Sequence, residues 1–61
     1  MKRLLFIDDE PNILEAMERM LFPMRKLWSM SFVRSGESAL SLLAKEGFDI
    51  VISDLRMPGM D

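Results

Sequence analysis

Residues 4–11 decide the fold, and they read LLFIDDEP. A continuous run of four apolar residues is typical of a β-strand that is covered on both faces, as in a parallel sheet. Three acidic residues follow the run at once, and Pro11 then suits the first turn of an α-helix, where its missing N–H costs nothing. The stretch therefore predicts a buried strand, an acidic turn and the start of a helix.

Helix and strand patterns alternate along the rest of the chain. Apolar residues recur at helical spacing over residues 13–21, and strict alternation over residues 28–32 predicts a strand with one face in solvent. Ser35 suits an N-cap, and a short apolar stripe follows it before Gly47 ends the second helix. Four of the six residues in 48–53 (FDIVIS) are apolar, including the run Ile50–Ile52, which predicts a third strand.

The order of these elements, β-α-β-α-β, predicts an α/β fold with a parallel sheet and right-handed crossovers. The half-exposed second strand belongs at an edge, which gives the strand order 2-1-3 with one helix on each face. Ligands of such sheets bind at the carboxyl ends of the strands, beside the point where the strand order reverses. Asp8, Asp9 and Asp54 all fall at carboxyl ends, so we expect them to lie together.

Length and composition exclude several classes of protein. A chain of 61 residues allows a single domain, here taken as residues 1–61. The absence of cysteine and histidine excludes disulfides, thiolate metal sites and histidine-dependent catalysis. The charges are mixed and the net charge is −2, so the sequence does not indicate a basic surface that would bind nucleic acid. No apolar stretch is long enough for a membrane span. We expect a soluble, cytoplasmic protein.

Three carboxylates at one edge of a sheet would repel one another unless a cation joins them. Oxygen ligands alone favour Mg²⁺ or Ca²⁺, and a few carboxylates completed by water suit Mg²⁺. The spacing of an EF-hand calcium loop is absent. A carboxylate beside Mg²⁺ can also attack phosphorus and form an aspartyl phosphate.

A simpler interpretation of the same acidic residues remains open at this point. The acidic residues 8–10 precede a helix, where they could cap the N-terminus and complement the helix dipole. Asp54 at the end of a strand could be a turn former. The predicted meeting of two acidic segments far apart in sequence is what favours a binding site.

The two acidic segments, residues 4–11 and residues 48–61 (FDIVISDLRMPGMD), resemble the two acidic motifs of response-regulator receiver domains. Residues 35–40, SGESAL, are similar to the start of the second helix in that family. The resemblance covers nearly the whole chain. It implies half of a flavodoxin-like, doubly wound sheet, a fold whose strand order 2-1-3-4-5 contains the order expected here.

The resemblance also implies roles for individual residues. Asp54 would be the phosphoacceptor, attacking a phosphoryl group carried by a histidine kinase or a small acyl phosphate. Asp8, Asp9 and Asp54 would hold Mg²⁺, and the backbone carbonyl of Arg56 would be a further ligand. The chain would then be a signalling component of a two-component phosphorelay and not an enzyme.

The resemblance further implies a truncated receiver. The fourth and fifth strands of the family, with their switch Ser or Thr and their phosphate-pairing Lys, have no counterpart in the 61 residues. The third strand would have a bare edge, and the burial available to so short a chain only balances the entropy lost on folding. We therefore expect self-association to a homodimer and an impaired phosphorylation switch.

Two alternatives to phosphoryl transfer are kept. The chain could be an interaction module that is not phosphorylated and that pairs with an intact receiver. It could also be a fragment that folds but has no activity of its own. An intact-mass measurement with a phosphodonor distinguishes phosphoryl transfer from both alternatives, because phosphorylation adds mass.

Overall fold

The computed structural model describes residues 1–53. The elements in this range are β1 (Lys2–Ile7), α1 (Pro11–Leu21), a short 3₁₀-helix (Phe22–Met24), β2 (Trp28–Val33), α2 (Gly36–Lys45) and β3 (Ile50–Ser53). The predicted alternation of strands and helices is confirmed.

The three strands form one parallel sheet in the order β2-β1-β3, as predicted. At the carboxyl edge, Ile7 of β1 pairs with Val33 of β2 on one side and with Ser53 of β3 on the other. This register brings the last residues of all three strands level with one another. Whatever follows each strand therefore starts from the same edge of the sheet.

The core is built around β1, whose two faces pack against different sets of residues. Leu5 and Ile7 form a cluster with Ala39 of α2, and three half-buried residues complete it: Val33, Leu42 and Phe48. On the opposite face Phe6 stacks on Phe32 with ring centroids 4.8 Å apart. Leu14 is the buried residue of α1. A continuous apolar run on β1 is thus explained by cover on both faces.

The helix termini follow the predicted chemistry. α1 begins at Pro11, and Ser35 caps α2 by accepting a hydrogen bond of 3.0 Å from the Ser38 N–H to its Oγ. α1 ends at Leu21, and Pro23 lies in the first turn of the following 3₁₀-helix, where its missing N–H is again harmless. No helix within residues 1–53 has the length and apolar character needed to cross a membrane.

The third strand is shorter than the predicted range 48–53, because the preceding residues bind β1 in another way. The Asp49 N–H donates to the Arg3 carbonyl at 2.8 Å, and the Asp49 carboxylate accepts the Arg3 N–H at 2.8 Å. A side-chain oxygen thus replaces a backbone carbonyl in the ladder. Phe48 turns into the core cluster, and the regular strand begins at Ile50.

Candidate acidic site at the carboxyl ends of the strands

Asp8 lies at the carboxyl edge of the sheet, directly after β1. Its N–H donates to the Val33 carbonyl at 3.1 Å, which extends the pairing of β1 and β2 by one bond. The residue is only 6% exposed and is the one charged residue among residues 1–53 that is buried. Burial of a carboxylate is unfavourable unless it is hydrogen-bonded or meets a cation. The position therefore calls for a specific partner.

One partner of this carboxylate is in the backbone of the following turn. Oδ1 of Asp8 accepts a hydrogen bond of 2.9 Å from the Glu10 N–H. This is the pattern in which an Asp side chain bonds the backbone two residues on and stabilises a turn. It fixes the Asp8 carboxylate in place and directs the chain into α1.

The capping interpretation of the acidic residues is wrong for Glu10. Glu10 is the N-cap residue of α1, but its side chain makes no capping bond, and the first turn contains no acidic residue. The Asp8 carboxylate bonds the backbone of the cap residue itself and not an N–H inside the helix. The local role of Asp8 is thus to hold the turn, and it uses only one of the two carboxylate oxygens.

Asp9 follows Asp8 and is exposed to solvent. Within residues 1–53, neither aspartate forms an ion pair with a Lys or Arg, since the pairs found there are Arg3 with Glu46 and Arg19 with Glu15. Two negative charges on consecutive residues therefore lie at this edge without a cationic side chain among the described residues to balance them. A hard cation is the kind of ligand that fits such an environment.

The structure tests the predicted metal ligands in part. Asp8 and Asp9 supply carboxylate oxygens, which is the donor type that Mg²⁺ prefers. Among residues 1–53 no three acidic side chains come together as a metal-binding group. The other two predicted ligands, Asp54 and Arg56, lie outside the described residues, so the complete ligand set stays a prediction.

The described part of β3 bears on where the second acidic segment begins. Ser53, the last described residue, pairs with Ile7 in the parallel ladder. Adjacent strands lie about 4.8 Å apart, and the pairing is in register up to this point. Ile7 and Ser53 are thus paired strand ends. Asp8 follows Ile7 in the sequence, and Asp54 follows Ser53.

Two contributors to the site were missed by the sequence analysis: the Val33 carbonyl and the Glu10 N–H. The second had a signal, because an Asp two residues before a helix N-cap is a common turn former. No sequence signal indicated the Val33 carbonyl, because the register of β1 against β2 depends on the packing of residues far apart in sequence.

Comparison with known proteins gives a consistent result. Residues 4–61 match the response regulator receiver domain family. The two-component response regulator ARR2 of Arabidopsis thaliana is 52% identical over 61 residues, which are 97% of this chain and 9% of that protein. The response regulator protein FleR of Pseudomonas aeruginosa is 41% identical, over 97% of this chain and 12% of that protein.

A solved structure supports the same comparison at the level of the fold. It is the signal receiver domain of an HD domain-containing protein from Pseudomonas fluorescens Pf-5, with a TM-score of 0.86 and 33% sequence identity. The match covers 98% of this chain and 46% of that one. The chain thus spans about half of a solved receiver chain and about a tenth of the curated relatives it matches.

Proposed function

Because this chain belongs to the response-regulator receiver domain family, we propose that Asp54 accepts a phosphoryl group in a Mg²⁺-binding pocket formed with Asp8 and Asp9. The observation that supports the proposal most strongly is the pairing of Ile7 with Ser53. It brings the two strand ends that precede Asp8 and Asp54 to one place. Without that register, two acidic segments more than 40 residues apart would have no reason to meet.

Asp8 and Asp9 would contribute to binding of the cation in different ways. Asp8 is buried and its orientation is fixed by the Glu10 N–H, so it would offer a preorganised oxygen. Asp9 is exposed and would approach from the solvent side. The backbone carbonyl of Arg56 is the proposed fourth protein ligand. When bound, Mg²⁺ would neutralise negative charge on the phosphoryl oxygens.

The proposed reaction is a transfer between two groups and needs no further reactant. A carboxylate oxygen of Asp54 forms a bond to phosphorus while the bond from phosphorus to the donor breaks. The donor, a histidine kinase or a small acyl phosphate, leaves with the electron pair of that bond. The product is an aspartyl phosphate, and the chain acts as a signalling component and not as a turnover enzyme.

We further propose that residues 1–61 contribute the metal ligands and the phosphoacceptor, and that the family's switch groups belong to other parts of the fold. The switch Ser or Thr and the phosphate-pairing Lys that the resemblance implies further along the fold have no matching position among these 61 residues. A cytoplasmic location, and the absence of direct contact with nucleic acid, remain predictions that accompany this proposal.

Intact-mass spectrometry tests phosphoryl transfer directly. With acetyl phosphate and Mg²⁺, we expect the wild-type chain to gain the mass of one phosphoryl group. Asp54→Asn removes the nucleophile and should abolish the gain, and Asp9→Asn should raise the Mg²⁺ concentration required. Glu37→Gln makes the same change of charge on exposed α2 and is the matched control. An unmodified wild type, or a mass gain that survives in Asp54→Asn, overturns the proposal.

A second candidate function is supported by the exposed third strand. Ile50 and Val51 of β3 are each 45% exposed, which is unusual for residues of this type in a strand. The chain could use that surface to pair with another protein of its family and never be phosphorylated. An unmodified mass in the test above, together with an intact fold, would favour this function.

A further inference from the structure

The charged residues within residues 1–53 are divided unevenly between the two edges of the sheet. The acidic residues that follow β1 lie at the carboxyl edge. Most of the cationic residues lie toward the opposite, amino edge, where the strands begin and both helices end. They are Lys2, Arg3, Arg19, Arg25, Lys26 and Lys45.

Arg34 is the one cationic residue within residues 1–53 that lies at the carboxyl edge. It follows Val33, the last residue of β2, which pairs with Ile7 of β1. The Asp8 N–H donates to the Val33 carbonyl, so the ladder continues by one bond past that pair. Extending the register by one residue places Arg34 level with Asp8, on a strand about 4.8 Å away.

The side chain of Arg34 is not engaged by the carboxylates around it. The two ion pairs within residues 1–53 involve other arginines, Arg3 and Arg19, and Arg34 is exposed. Glu37, the nearest acidic residue in the sequence, does not pair with it either. Arg34 is also absent from the side-chain hydrogen bonds of the same range, so its guanidinium holds no local structure there.

An anionic phosphodonor would meet unfavourable charge at this edge. One divalent cation does not fully neutralise the three carboxylates of the proposed pocket, and Glu10 adds a further negative charge beside them. A cationic group in such a place raises the local concentration of an anionic ligand. The position of Arg34 is therefore the one from which a described side chain can favour the approach of the donor.

We propose that Arg34 draws a small anionic phosphodonor, an acyl phosphate free in solution, into the acidic pocket. The inference rests on the phosphoryl transfer proposed above. Arginine suits this role because its guanidinium stays charged at every physiological pH and presents several N–H donors that match two phosphate oxygens at once. Arg34 thus binds the donor, and neither the metal nor the nucleophile depends on it.

The strand order separates the role of Arg34 from that of the nucleophile. β1 lies between β2 and β3, so the ends of the two outer strands are two strand spacings apart, about 9.6 Å. A side chain that starts from the end of β2 covers the end of β1 first. Arg34 therefore meets the donor on the side away from β3, and it acts on capture of the donor and not on the transfer step.

Initial rates of phosphorylation by acetyl phosphate, followed by intact-mass spectrometry at saturating Mg²⁺, test the inference. At low donor concentration Arg34→Ala should lower the rate about twofold to fivefold, the range expected for an exposed pair of charges. Arg34→Glu should lower the rate further, and Arg34→Lys should retain most of it. Lys26→Ala removes the same charge from the exposed amino edge and is the matched control, with the wild-type rate expected.

The concentration of donor separates capture from transfer. The loss in Arg34→Ala should appear as a higher KM for acetyl phosphate, with kcat unchanged, because an interaction made equally before and during transfer affects binding alone. A loss confined to kcat overturns the inference. Equal rates for Arg34→Ala and Lys26→Ala overturn it as well.

Ionic strength distinguishes an effect of charge from an effect on the fold. Salt screens interactions between exposed charges, so the ratio of the wild-type rate to the Arg34→Ala rate should fall toward one as NaCl is added. The exposed position of Arg34 means that its replacement leaves the core intact. A ratio that does not change with salt overturns the inference.

Binding of inorganic phosphate gives a readout without any reaction. In the presence of Mg²⁺, a phosphate titration followed by backbone amide NMR should give saturable shifts at Asp8 and Val33. These shifts should need more phosphate in Arg34→Ala and still more in Arg34→Glu, and should be unchanged in Lys26→Ala. Identical titrations of the wild type and Arg34→Glu overturn the inference.

The two readouts keep this inference apart from the proposed phosphoryl transfer. A chain that is phosphorylated equally fast with and without Arg34 refutes only the role of Arg34. A chain that binds phosphate through Arg34 but is never phosphorylated refutes only the transfer. A chain that does neither refutes both.

Discussion

β1 and β3 are neighbouring strands of similar apolar character with opposite surroundings. Leu5 in β1 is fully buried, whereas its pairing partner Val51 in β3 is 45% exposed. β1 has a strand on each side and is buried on both faces, while β3 is bonded on one side only among the described residues. An apolar strand sequence thus indicates that a strand is suited to burial, and the neighbouring elements decide whether it is buried.

The largest effect that this comparison predicts is at the paired positions Leu5 and Val51. Leu5→Ala leaves a cavity in a closed core, and we expect it to lower the free energy of unfolding by about 2–5 kcal/mol. Val51→Ala removes a side chain that is already half in water, so its cost in the monomer should stay below about 1 kcal/mol. Urea denaturation in dilute solution measures both. Equal losses in the free energy of unfolding for Leu5→Ala and Val51→Ala would contradict the difference in burial between β1 and β3.

An intermediate effect is expected where β3 is attached to β1. Asp49→Ala removes the carboxylate that accepts the Arg3 N–H, and we expect a loss of about 1 kcal/mol because the bond is exposed to solvent. Asp49→Asn keeps an acceptor oxygen and should lose less. Amide hydrogen exchange should become faster at the Arg3 N–H and in β3, and stay unchanged in the rest of β1; unchanged exchange at the Arg3 N–H would refute the attachment.

An effect of similar size is expected at α2, the helix that covers β1 and not β3. Ser35→Ala removes the N-cap of α2, and we expect a loss of about 0.5–2 kcal/mol, with most such substitutions near 1. Ser35→Asp should restore most of the stability, because it supplies another capping acceptor. Thermal denaturation compares the three chains, and an Asp variant no better than the Ala variant would argue against the cap.

The sequence predicted the topology because each element carries a local periodic pattern. The run before Asp8, the alternation in β2 and the cap at Ser35 all act over a few residues, and β1, β2 and the cap were found where expected. The prediction that one face of β2 lies in solvent was wrong, because all of its residues except Ser29 are half-buried.

The remaining features depend on contacts between distant residues. The start of β3 is set by Arg3 and Asp49, which no local pattern connects. In the candidate site, the backbone of Asp8 is bonded to Val33, again a long-range contact. The roles of Asp54 and Arg56 rest on resemblance to the family and stay predictions.

The contact between Arg3 and Asp49 also has a kinetic consequence, because it joins residues 46 positions apart in sequence. Closing so long a loop costs more chain entropy than forming the shorter β1-α1-β2 unit. We therefore expect β1, α1 and β2 to assemble first, with β3 added in the last step of folding. During synthesis, β1 would have one edge unpaired until β3 had left the ribosome.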